Sequence, residues 1–116
     1  MSYDIDLRNI DGEIVEVDNH EEGGTYAIGG VTQGSLNITY NYSKFFYDHL
    51  DKKEGIRWLY GKKARYTKER LRKAIDILGT KQYRDYWAPT PGNAGHALSV
   101  LLKWAEQHPI AVWEGD

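Results

Sequence analysis

The chain has 116 residues, enough for one domain with one core, and no cysteine, which removes disulfides, thiolate metal sites and a cysteine nucleophile together. The opening residues, MSYDIDLRN, are polar and acidic rather than a signal peptide, and no apolar run approaches the roughly 18 residues of a membrane span, so a cytoplasmic location is expected. The net charge of −2 conceals a segregation: residues 1–43 carry eight acids against one base, and residues 44–86 thirteen bases against six acids. Such asymmetry implies two surfaces of opposite sign, unless the two halves pack together and neutralise each other.

Tyr3, Ile5 and Leu7 alternate with polar residues, the two-residue period of a half-buried strand. Asp11-Gly12 is a hairpin signal, and Glu13 to Val17 reads as the return strand. Residues 18–24 read as a polar loop with His20 solvated in it, and Thr25 to Ile28 as a short strand. From Ser35 to Tyr42, Leu36, Ile38, Tyr40 and Tyr42 alternate with Asn37, Thr39 and Asn41, which predicts one longer strand. At Ser43 the period changes, and Ser43 is the expected N-cap of a helix burying Phe46, Tyr47 and Leu50 and stopping near Gly55.

Thr67 is the expected N-cap of a second helix, with Leu71, Ala74, Ile75 and Leu78 as its buried face and Gly79 as its stop. Thr80 to Pro89 is a loop. Thr90-Pro91 opens a third helix as N-cap and first helical residue; Ala94, Ala97, Leu98, Leu101, Leu102 and Ala105 line its buried face. Ile110 to Trp113 is β-prone and could complete the sheet. The expectation is therefore a single α+β domain over 1–116, a small antiparallel sheet packed with about three helices.

No catalytic or metal pattern stands out. The glycines of GGTYAIGGVTQG do not fit G-x-G-x-x-G, GIRWLYGK does not fit the P-loop, no two histidines are spaced H-x-x-x-H, and no serine lies in G-x-S-x-G. No cofactor or metal is expected. Tyr83, Tyr86 and Trp87 cluster before Thr90-Pro91-Gly92-Asn93, and a helix start beside aromatic rings can hold a small anion or a base-bearing ligand. Asn37, Thr39 and Asn41 share one face of their predicted strand and are further candidates for a ligand or partner surface. Lys68, Arg70, Arg72 and Lys73 form a basic helix face that could meet phosphates, against a sequence pI of about 6.1 and an acidic first third. Trp58 and Trp104 are expected in the core.

GGTYAIGG, LNITYNYSKFFY, IRWLYGKKA, YWAPTPGNAGHALSVLLKWAEQHP and the terminal VWEGD together resemble a family of short proteins of phages, prophages and bacterial genomes, over nearly the full chain. The resemblance implies an accessory protein of a mobile element acting on a host protein or defence component, and brings no catalytic residues. The expected function is a non-enzymatic interaction module working by contact with a host or bacterial protein. The alternatives are a binder of a small nucleotide-like anion and, third, a weak single-strand nucleic-acid binder through the Lys62–Lys73 face.

Overall fold

The computed structural model describes residues 1–23 and 29–116; the strand expected at Thr25 to Ile28 lies outside the described residues. In chain order the elements are β1 (Ser2–Arg8), β2 (Glu16–His20), β3 (Val31–Gln33), β4 (Ser35–Thr39), α1 (Ser43–His49), α2 (Lys68–Leu78), α3 (Pro91–Gln107) and β5 (Val112–Gly115). Short 3-10 segments lie at Tyr40–Tyr42, Gly55–Leu59 and Ala64–Tyr66. This is the expected α+β architecture.

The alternation in β1 makes it the central strand of an antiparallel sheet ordered β4-β1-β5. Tyr3 lies opposite Ile38 and Ile5 opposite Leu36, while Leu7 lies opposite Trp113. These residues form one apolar face, which closes a core with Phe46, Leu59, Leu71, Leu98 and Leu101. Helix α3 supplies most of its side, with Ala94, Ala97, Leu98, Leu101, Trp104 and Ala105 all buried. The β-prone end of the chain does join the sheet, as β5.

Three local expectations are corrected. The Asp11-Gly12 turn forms, with Gly12 at φ 88°, but the return strand leaves β1 after Val15 donates to Leu7 at 2.9 Å. The chain then forms β2, which pairs with β3 in a separate two-stranded sheet, so strand replaces the expected polar loop from Asp18 to His20. His20 is accordingly only partly exposed rather than fully solvated: its ring meets Trp104 edge-on at 4.9 Å, and its two nitrogens lie 3.0 and 2.7 Å from the carbonyl oxygens of Glu21 and Gln33. Second, β4 ends at Thr39. The Thr39 hydroxyl accepts from the Asn41 amide at 3.1 Å, a local bond that turns the chain where side-chain alternation alone would continue the strand.

Third, neither Ser43 nor Thr67 caps its helix through its side chain. The Ser43 hydroxyl meets the Tyr3 hydroxyl at 2.6 Å. Thr67 is fully buried; its hydroxyl donates to the Ala64 carbonyl at 2.7 Å and accepts from the Trp113 indole at 2.9 Å. Helix α1 stops before the expected Gly55, at His49. The Asp51 carboxylate then takes the amides of Glu54 and Lys53, and the Glu54 bond chiefly holds that carboxyl below its ordinary range. Tyr47 stays partly exposed on α1, and Trp58 is half-buried rather than core, with Arg70 at 4.0 Å and Lys62 at 4.6 Å from its ring centre.

Helices α2 and α3 meet through backbone. Gly79 ends α2 at φ 75°, and a side chain at Gly95 would stand 1.7 Å from the Gly79 carbonyl oxygen. Only glycine allows that approach. The charges, by contrast, do not meet: among the described residues, no ion pair joins an acid of residues 1–43 to a base of residues 44–86. No helix among the described residues is long and apolar enough to cross a membrane.

Candidate functional site

The loop between α2 and α3 is held by the helix it precedes. Thr90 caps α3 by accepting from the Asn93 amide at 3.2 Å, and Pro91 occupies the first turn, as the sequence predicts. Asn93 is buried, and its side chain points back into the loop. Its oxygen accepts from the Tyr83 amide at 2.7 Å, and its nitrogen donates to the carbonyls of Asp85 and Ala88, both at 3.0 Å. The Thr90 hydroxyl is therefore spent on the first turn of α3 and the Asn93 side chain on the loop.

Tyr86 fixes the loop to the sheet. Its hydroxyl donates to the Asn37 carbonyl at 3.0 Å and lies 3.3 Å from the Thr39 amide, which donates to it. Beside it, the Asn37 amide donates to the Glu22 carbonyl at 2.8 Å. The outer edge of β4 is thus covered by a side chain and by residues 22–23. The Tyr42 hydroxyl donates to the Tyr86 carbonyl, and burial, with Tyr86 and Asp85 nearby, pushes that phenol well above its ordinary range. Asn41 donates to the Trp87 carbonyl at 2.9 Å.

Between β4, α3 and this loop lies a chamber of about 220 Å³. Leu36, Ile38, Ala97 and Val100 give it apolar walls, Tyr42, Tyr83 and Tyr86 give it rings, and Glu21, Gln82, Arg84 and His96 surround these with polar groups. Arg84 makes no hydrogen bond or ion pair among the described residues. Burial holds the His96 imidazole below its ordinary pKa, against an opposing pull from Glu21. The ring is then neutral at pH 7 and offers one donor and one acceptor.

The predicted residues divide. Tyr83, Tyr86, Asn93 and Asn37 line the chamber; Thr39, Asn41, Trp87 and Thr90 do not. The Asn37 amide group itself donates to Ser2 and Asp4, each at 2.7 Å, on the strand face opposite Leu36 and Ile38. No buried side-chain polar atom among the described residues lacks a partner, so Asn37 and Thr39 are committed to the fold. Tyr83 is 57% exposed and Trp87 41%, and the Trp87 ring meets Tyr86 at 5.0 Å.

On the basic face, Arg70 pairs with Asp51 at 3.1 Å, Arg72 with Glu106 at 3.1 Å and Lys73 with Glu69 at 3.4 Å. Among the described residues, Lys68 alone of the four cations is left without a carboxylate.

Sequence reasoning missed Arg84, Gln82, His96, Val100 and Glu21. A signal for two of them was present: His96 and Val100 are four apart on α3, a polar-edged stripe beside the buried one. Arg84 carried none, because its position depends on how Asn93 folds the loop. Compared with protein-family models, with curated proteins and with solved structures, the chain gives no match in any of the three.

Proposed function

We propose that the protein is a binding module for a small, ring-bearing anion of the nucleotide class, held in the chamber between β4, α3 and the loop after α2. The observation that carries this reading is Arg84. An exposed guanidinium, without a partner among the described residues, stands at the rim of a tyrosine-lined cavity of mixed polar and apolar walls, on a loop that Asn93 and Tyr86 hold in place. A planar, multi-donor cation suits a phosphate, and tyrosine rings suit a base. The Glu21 carboxylate and the neutral His96 can read an exocyclic amine and a ring nitrogen. Asn93 and Tyr86 hold the loop before a ligand arrives, so the ordering that opposes binding is confined to side chains such as Arg84.

The test is a titration of the protein with adenosine 5′-monophosphate, followed by calorimetry and melting temperature. Saturable binding that weakens at least tenfold in Arg84→Ala is expected. No heat and no melting shift at millimolar nucleotide would overturn the reading.

A second reading rests on a different observation. The exposed Trp87 ring sits outside the chamber on the same loop, and Tyr83, which lines the chamber, is itself 57% exposed, the presentation expected of anchors for a protein contact with a host or bacterial partner. It supports an accessory role exerted by contact. Trp87→Ala separates the two readings, since Trp87 is outside the chamber: it should leave nucleotide binding intact while weakening a protein complex.

A further inference from the structure

A second cavity, of about 370 Å³, adjoins the chamber. The two share Glu21, Gln82, His96 and Val100 as walls. Both run along one stripe of α3: Asn93, His96 and Val100 for the first, His96, Val100, Lys103 and Gln107 for both together with the second. From Asn93 to Gln107 is fourteen residues, about 21 Å of helix, which is longer than a mononucleotide. Each cavity also repeats the same chemistry. The first sets tyrosine rings beside Arg84; the second sets the partly exposed His20 ring, backed by the buried Trp104, beside Lys103.

From this repetition we infer that the site takes a ligand with two linked ring–phosphate units, a dinucleotide, one unit in each cavity with His96 at the junction. The inference rests on the proposed nucleotide reading of the first chamber. Lys103 is available to a phosphate, because its only partner among the described residues, Asp18, is 3.4 Å away in a pair with both side chains more than half exposed. Such a pair is weakly held and exchanges readily with a ligand oxygen. Asp18 and Glu21 then favour a ligand whose bases carry amino groups over one that presents phosphate alone. Neutral His96 admits the linker between the two units without repelling either cation.

The experiment compares 5′-phosphoadenylyl-adenosine with adenosine 5′-monophosphate on the full chain by calorimetry. The dinucleotide should bind at least tenfold more tightly. Lys103→Ala should remove that gain while leaving the monophosphate affinity unchanged, and Lys103→Arg should restore it. Equal affinity of the two ligands for the wild type would overturn the two-cavity inference and leave the single-chamber reading standing. Binding of neither overturns both. A gain that survives Lys103→Ala would also overturn it, since the second cation would then not be engaged.

Discussion

The Trp113 indole nitrogen donates to the Thr67 hydroxyl at 2.9 Å, across 46 residues, and so joins the last strand to the start of α2. Both residues are fully buried, and the same hydroxyl donates onward to the Ala64 carbonyl. Thr67→Val keeps the shape and removes the hydroxyl. It leaves the buried Trp113 N–H without a partner, while the Ala64 carbonyl keeps the Thr67 amide at 3.0 Å, a loss of about 1–3 kcal/mol by urea denaturation. Thr67→Ser should recover most of it. Equal stability of the valine variant and the wild type would show that this link does not matter.

Gly95 should tolerate no side chain. An added methyl would meet the Gly79 carbonyl at 1.7 Å, and both partners are backbone. Gly95→Ala gains helix propensity of about 1 kcal/mol but must force α2 and α3 apart. The net expectation is a destabilisation of about 1–3 kcal/mol, read as a lower melting temperature. A melting temperature at or above that of the wild type would mean the two helices separate without cost.

Asn93→Ala should loosen the loop before it unfolds the domain. Three hydrogen bonds are lost, one of them from the Tyr83 amide. Hydrogen exchange at Tyr83 should accelerate well beyond that of the α3 core amides. If all these amides accelerate together, the loop and the helix unfold as one unit and the loop has no separate order to lose.

Stability should decline on mild acidification through His96. Its folded-state pKa lies below the ordinary value of 6.5, chiefly because the ring is buried. The unfolded chain therefore takes up the proton first, so the contribution is full above pH 6.5 and is lost as pH falls through the folded value. The melting temperature of His96→Gln should change less than that of the wild type between pH 7.5 and the acid side of this transition. Parallel curves would assign the acid sensitivity to other groups.

The elements that carry their own periodicity were legible in the sequence: β1 by its alternation, and α2 and α3 by their apolar spacing and by Gly79, Thr90 and Pro91. Strand β2 was not. Its residues, EVDNH, bury little, and the strand exists because the backbone finds β3. Thr67 and Asn93 were read by local habit, as a cap and as part of a helix start, yet their decisive partners are a distant indole and the preceding loop. The candidate site suffered most from this. Tyr83, Tyr86 and Asn93 were visible as a cluster, but the chamber is made by Arg84, His96 and Glu21, which only tertiary folding brings together.

The covering of β4 by Tyr86 and Glu22 has a counterpart at the other side of the sheet, where Gly61 donates to the Trp113 carbonyl at 2.8 Å and Trp113 donates to the Lys62 carbonyl at 3.1 Å. Among the described residues, neither border of the three-stranded sheet presents a free row of amides and carbonyls. A second polypeptide therefore has no ladder to extend there, whether a copy of this chain in a growing fibre or an extended segment of another protein. Whatever docks beside these strands must read side chains, so its grip will depend on what this chain displays rather than on the backbone that all proteins share.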